Sequence, residues 1–235
     1  MGYSKISYQN NGVERQANLR LNTLQLTKGE QKTLIILIAT FHFVGLVGFL
    51  IPGLYSLFLD LVPFHLMLIL VFIAGSHRPA SGNFFLFTAI IFILAFTLEW
   101  VGVHKGWLFG SYTYGPTLGV QLDGIPLCIS VNWFLLIYST GVFMRISRVR
   151  NIFVRVLIGA FILVLLDVLI EPVAVQFNYW NWADNIIPYK NYISWFFVSA
   201  IMLLIFEVFQ FKKQSIVAPV FLVVQFVFFI VLRLI

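Results

Sequence analysis

The chain has 235 residues, 60% of them hydrophobic and only 10% charged, with a mean hydropathy of +0.95. A soluble domain carries about a quarter charged residues, so a soluble globular protein is excluded. The net charge of +6 is no argument for a nucleic-acid partner, because in a membrane protein the placement of basic residues matters more than their sum.

Residues 1–32 read as a polar cytoplasmic arm, mixed in charge and expected to be flexible. The arm lacks the basic-then-apolar-then-small pattern of a cleaved signal peptide, so the first hydrophobic stretch is expected to remain as an anchor. Residues 33–235 are expected to form one membrane catalytic domain. A spanning helix needs about 20 mostly apolar residues, and seven stretches qualify: Thr33–Ile51, Leu57–Gly75, Phe84–His104, Pro126–Arg145, Ile152–Glu171, Tyr192–Phe211 and Ile216–Leu234. The predicted fold is therefore all-α, a polytopic bundle of about seven transmembrane helices. Pro52-Gly53, Arg78-Pro79, Arg145 to Arg150 and Lys212-Lys213 punctuate it, while Asp60 and Pro63 interrupt the start of the second stretch.

With the N-terminus inside, twelve of the fifteen basic residues fall on inner segments, leaving Lys105, Lys190 and Arg233 outside. That distribution sets the orientation, with the C-terminus outside. The expected location is a prokaryotic inner membrane, crossed several times.

The acidic residues lie the other way. Glu99 sits roughly 22–24 Å above the inner end of the third stretch at 1.5 Å per residue, and Asp167 and Glu171 lie at similar or greater height on the fifth. The two longest loops, Lys105–Ile125 and Pro172–Asn191, are on the same side. Loops of this length are more often functional than idle.

Asp167 and Glu171 are four residues apart and share a helix face. Two ionised carboxylates there repel each other, and a low-dielectric setting favours keeping one of them neutral. A neutral carboxyl is a proton donor, and Glu99 can complete a set of three. Intramembrane carboxyls default to function; the plainer reading caps or snorkels Glu99 and Glu171 at the interface. Glu207, beside Lys212, reads as an ordinary interfacial charge.

Trp100, Trp107, Tyr112, Tyr114, Trp133, Tyr179, Trp180, Trp182, Tyr192 and Trp195 surround these carboxyls. Interfaces attract Trp and Tyr anyway, yet all six tryptophans lie toward the outer side. A one-sided cluster of π faces can stabilise a carbocation. Ser130, Asn132, Asn178, Asn181 and Asn191 add neutral groups able to hold a water. Gly102, Gly106 and Gly110, at four-residue intervals, serve close helix approach or loop flexibility equally well. The single Cys128 permits no intrachain disulfide or cysteine cage, and His42, His65, His77 and His104 have no ligand spacing, so no metal is expected. No dinucleotide fingerprint, phosphate loop or Ser-His-Asp order is present. With no cofactor expected, acid chemistry on an apolar substrate is the simplest enzyme reading.

At these residues the chain resembles a known family. Glu99-Trp-Val-Gly102, Phe109-Gly110-Ser-Tyr112-Thr-Tyr114, Leu118-Gly119 and Gly124-Ile-Pro126 resemble the integral-membrane carotenoid 1,2-hydratases. That group includes the bisanhydrobacterioruberin hydratases and the γ-carotene 1'-hydratases. Asp167, Glu171-Pro-Val-Ala-Val175, Tyr179-Trp-Asn-Trp182, Pro188, Asn191-Tyr192 and Trp195 agree, and the likeness covers roughly residues 34–210 in order. Asp123 and His104 carry no role over.

The resemblance implies addition of water to the terminal C1=C2 bond of an acyclic ψ end group, giving a tertiary alcohol. The expected substrate is lycopene, γ-carotene or a longer acyclic carotenoid, met in the bilayer. Protonating C2 places positive charge on C1, which calls for a neutral acid, a cation-tolerant pocket and one placed water. Asp167 is the leading candidate for the acid, being the deepest carboxyl. Glu171 or Glu99 would position the water or hold a shared proton. Trp100, Tyr112, Tyr114, Asn132, Trp133, Trp180, Trp182, Asn191 and Trp195 are the expected substrate-binding set. The rivals are a carotene cyclase using the same protonation, a non-catalytic carotenoid carrier, and a seven-span receptor or retinal pump. The last would need a lysine in mid-membrane, and every lysine here is at a boundary or in a loop.

Overall fold

The computed structural model describes residues 25–234. Of the arm expected over residues 1–32, residues 1–24 lie outside the described residues, and from Lys28 onward it is helical rather than flexible. The described part is an all-helical bundle of seven α-helices: α1 Lys28–Leu50, α2 Tyr55–Ser76, α3 Gly82–Lys105, α4 Leu127–Ile146, α5 Ile152–Gln176, α6 Tyr189–Val208 and α7 Val217–Arg233. The first six are long and apolar enough to cross a membrane. With 17 residues, α7 is about 25 Å long, at the short end of the spanning range.

Helix α1 begins at Lys28, more than a turn before the apolar pattern starts. The cause is a capping box: Thr27 Oγ1 accepts from the Glu30 N–H at 3.2 Å, and the Glu30 carboxylate accepts from the Thr27 N–H at 2.7 Å. Two otherwise unpaired helix-end donors are satisfied this way. Hydropathy marks where a helix enters lipid, and the cap marks where it starts. Helix α2 runs straight through Asp60 and Pro63 from Tyr55. Asn151 caps α5 through the Val154 N–H, and Gly106 ends α3 in the left-handed region at φ +61°, a conformation that glycine adopts without steric cost.

Helix α4 is the centre of the bundle, with 14 of its 20 residues buried, as expected for a helix apolar all round. The most extensive helix pairing is α5 with α6. Glycines at the crossings set the distances, since a Cβ on Gly159 would fall 2.8 Å from Leu203 Cδ1 and one on Gly141 2.5 Å from a Phe206 ring carbon.

The end carrying most of the basic residues is tied together by ion pairs. Glu207 is buried, not interfacial, and its partners are Arg145 at 3.2 Å and Arg155 at 2.8 Å rather than Lys212. The helical periodicity of α6 turns its side chain inward to α4 and α5, which sequence proximity to Lys212 conceals. Gln214 exchanges hydrogen bonds with the backbone of Arg78 at 2.9 and 3.1 Å, joining the two short connections at this end.

The opposite end holds the two long loops, which contain four short strands: β1 Tyr112–Tyr114, β2 Gln121–Leu122, β3 Ile125–Pro126 and β4 Trp180–Trp182. Strands β2 and β3 form a hairpin over Asp123-Gly124, both at positive φ, the signature of a type I′ turn. Strand β1 pairs antiparallel with β4 of the other loop, setting Tyr112 opposite Trp182 and Tyr114 opposite Trp180. If all seven helices span, reporters fused after Lys213 and after Ile235 report opposite sides of the membrane. Finding both on one side removes α7 as a span.

Candidate active site

The β1–β4 ribbon explains the alternation of its residues. Side chains two apart on a strand share a face, so Tyr112, Tyr114, Trp180 and Trp182 turn toward the helices while Thr113 and Asn181 face outward and are exposed. Each strand serves one carboxylate. The Tyr112 and Tyr114 hydroxyls both donate to Glu99 Oε2 at 2.6 Å, and the Trp180 and Trp182 indoles donate to Glu171 Oε2 at 3.0 and 2.7 Å. Burial and the Glu99 carboxylate hold both tyrosine hydroxyls far above their ordinary pKa, so they stay protonated and able to donate.

Each glutamate has a third donor from the bundle. Trp133 of α4 donates its indole N–H to Glu99 Oε1 at 2.7 Å. Asn191 of α6 donates to Glu171 Oε1 at 2.8 Å and to Asp167 Oδ2 at 2.9 Å. Asp167 is fully buried, and its Oδ1 has no hydrogen-bond partner among the described residues. All three carboxyls are thus inside the protein, not snorkelling at an interface. Glu99 and Glu171 each accept three hydrogen bonds, and Asp167 accepts one. Trp133 stacks on Trp195 with ring centroids 4.2 Å apart.

A crevice of about 20 Å³ lies among Glu99, Glu171, Asn191, Tyr112, Tyr114, Phe109, Ile129, Trp180, Trp182 and Trp195, enough for one water molecule. Beside it is an apolar cavity of about 330 Å³, within the range of small-ligand sites. The two spaces share Ile129 and Trp180. Phe49, Phe58 and Phe228 line the cavity, as do Val44 of α1 and Leu61 and Phe64 of α2, which are exposed on the bundle surface. Polar side chains in its lining include Asn132, His42, His65 and Gln225, with His42 and Gln225 hydrogen-bonded at 2.7 Å. Asp167 lines neither space, and its partner Asn191 and helix neighbour Glu171 both line the crevice.

Several sequence-predicted residues are elsewhere. Trp100 points away from the carboxyls, donating to Asp123 at 2.6 Å and stacking on His104 at 4.7 Å. It shares a helix with Glu99, but the two are adjacent in sequence and about 100° apart around the axis. Asn132 lines the apolar cavity rather than the carboxyl cluster. Ser130 is spent on the Phe92 carbonyl, and Asn178 and Asn181 bond each other at the surface. Trp107 is 70% exposed and matches a belt residue.

Gly102 has a role that its spacing did not reveal. A Cβ there would lie 2.6 Å from the Tyr112 hydroxyl oxygen, so the bare glycine makes room for the Tyr112–Glu99 hydrogen bond. Gly110 similarly admits Pro188, at 2.7 Å from its hypothetical Cβ. The three glycines therefore form no helix-packing stripe. Gly102→Ala is expected to push Tyr112 off Glu99 and lower turnover by about tenfold, the equivalent of one lost hydrogen bond of about 1.4 kcal/mol. Combining it with Tyr112→Phe should add little further loss, and fully additive losses would refute the steric account.

Comparison with known proteins bears on what this arrangement does. Residues 61–235 match the family described as Carotenoid biosynthesis protein. The bisanhydrobacterioruberin hydratase of Haloarcula japonica is 28% identical over 122 residues, 49% of this chain and 42% of that protein. The chain thus spans less than half the length of that relative. No solved structure matches.

Proposed function

The chain belongs to the carotenoid biosynthesis protein family, and from that premise we propose that it is a membrane hydratase adding water to the C1=C2 bond of an acyclic ψ carotene end group. The observation that carries the reading is the pairing of a one-water crevice, walled by carboxyls and aromatic faces, with an apolar cavity whose lining includes exposed apolar residues of the bundle surface. A polyene enters the cavity sideways from the bilayer and presents its terminal double bond to the crevice past Ile129 and Trp180. Lycopene and γ-carotene both carry a suitable end group.

The hydrogen-bond pattern supports a place for the proton. Three N–H or O–H donors converge on each of Glu99 and Glu171, the environment of an ionised carboxylate. Asp167, with one donor and an open oxygen, is the resting place of the proton. The Asp167–Glu171 pair, bridged by Asn191, acts as one acid holding a single proton, with Glu171 facing the crevice. Protonation at C2 forms a C–H bond from the π electrons and leaves the cation on the tertiary C1. The rings of Trp195, Trp180, Trp182 and Tyr112, which line the crevice, face that charge. Water oriented by Glu99 bonds to C1, and the oxonium returns its extra proton to the pair, so the acid is restored and no redox equivalent is consumed. The end rich in arginine and lysine faces the cytoplasm in this reading, with the site in the outer half of a cell inner membrane.

The test is to express the chain in cells that accumulate lycopene. A hydroxylated product, more polar and heavier by one water, supports the reading. A ring-closed isomer of unchanged mass identifies a cyclase, and an unaltered carotene co-purifying with the protein identifies a carrier.

A further inference from the structure

Helices α5 and α6 meet along two ridges of four-residue spacing. One carries Arg155, Gly159, Leu163, Asp167 and Glu171; the other carries Asn191, Trp195, Ser199, Leu203 and Glu207. Three contacts fix their antiparallel register. Arg155 binds Glu207 at the basic end, Gly159 faces Leu203 in the middle, and Asn191 bridges Asp167 and Glu171 at the loop end. From α4, the Thr140 methyl lies 3.2 Å from where a Cβ on Gly159 would sit, which places Thr140 on the same seam.

The polar groups along this seam form a ladder. By the register, Arg155 and Glu207 occupy one level, Thr140 stands at the next with its methyl toward Gly159, Ser199 comes opposite Leu163, and Asp167 lies one level above. Successive levels are four residues apart, about 6 Å. Thr140, Ser199 and Asp167 are each fully buried, and Thr140 Oγ1, Ser199 Oγ and Asp167 Oδ1 have no partner among the described residues. Helical Ser and Thr hydroxyls commonly return to a carbonyl one turn back, and Thr33, Thr88 and Thr97 of this protein do so. Thr140 and Ser199 do not. Buried hydroxyls with unmet hydrogen bonds are sites for internal water. One bridging water spans about 5.5 Å between two oxygens, close to the spacing of the ladder.

We propose that the α4–α5–α6 seam holds a file of buried waters at Thr140, Ser199 and Asp167, and that this file is the inlet through which water reaches the site from the basic end. The proposal rests on the hydration reading, in which each turnover consumes one water. A bound polyene fills the lipid-facing cavity, and the Tyr–Trp ribbon covers the crevice at the loop end. Among the described residues, the seam is a further polar line into the carboxyl cluster.

Hydroxyl-radical footprinting of the full chain in lipid nanodiscs tests this, because labelling of a buried leucine requires a nearby water. Leu163 and Leu135 are both 0% exposed and Leu203 is 2% exposed, but only Leu163 and Leu203 line the seam. Leu163 and Leu203 are expected to label at least tenfold faster than Leu135. The double variant Thr140→Val with Ser199→Ala, nearly isosteric, should bring them down to the Leu135 rate. It should also lower kcat about tenfold with KM for the carotene unchanged. Equal labelling of all three leucines in the wild type, or seam labelling indifferent to the double variant, overturns the inlet. Protected seam leucines in a protein that still makes the alcohol remove the inlet and leave the hydration reading intact. A labelled seam in a protein that makes no alcohol keeps the water file and removes the hydration reading.

Discussion

Asp167→Asn is expected to lower formation of the tertiary alcohol by about 10³-fold or more, the upper part of the range for loss of a general acid. Asparagine keeps the size of the side chain and an oxygen to accept from Asn191, so the α5–α6 seam stays packed. What it cannot do is hold the proton that the pair delivers to C2. Glu171→Gln should be as damaging by a second route. Its amide keeps one oxygen, so its N–H groups would face either the Trp180 and Trp182 donors or Asn191, which now bond opposite oxygens of the carboxylate, leaving buried donors without an acceptor. The two losses should not add in the double variant, because residues acting as one unit fail together. The measurement is alcohol formed per inserted protein, with helical content and monodispersity in detergent as the folding control. Wild-type turnover in Asp167→Asn would pass the acid to Glu171 or Glu99, which line the crevice directly.

Much of the bundle was legible because hydropathy and breakers act locally. The seven helices, their punctuation, and the shared face of Asp167 and Glu171 all follow from hydropathy, breakers and helical period. The β1–β4 pairing was not legible. It joins Tyr112–Tyr114 to Trp180–Trp182 across β2, β3, α4 and α5, and three-residue strands in aromatic loops carry too little alternation to signal pairing. That pairing decides which donors serve which carboxylate. It also makes Gly102 a site residue through the Tyr112 hydroxyl, a contact no spacing rule anticipates. Trp100 failed for a simpler reason. Depth alone placed it with Glu99, whereas rotation about the helix axis sent it to Asp123 and His104. Glu207 failed likewise, since its partners Arg145 and Arg155 come from other helices.

The tryptophans divide on the same logic, and Trp195 gives the cleanest test of the cation-facing pocket. Trp133, Trp180 and Trp182 each donate an indole N–H to a carboxylate, so replacing any of them removes a hydrogen bond together with a π face. Trp195 lines the crevice and stacks on Trp133 without donating to a carboxylate among the described residues. Trp195→Phe keeps a ring of weaker π potential, and Trp195→Leu keeps apolar bulk without one. If the ring faces the cation, kcat should fall about tenfold for Phe, one 1.4 kcal/mol step of transition-state stabilisation. For Leu the fall should reach about a hundredfold, with carotene binding held within a few-fold because the apolar wall persists. Trp107→Leu, on the exposed surface beside Lys105, should leave kcat unchanged and serves as the interfacial control. A Trp195→Leu variant with wild-type kcat would show that the rings only anchor the bundle, leaving the carboxyls and the placed water to lower the barrier alone.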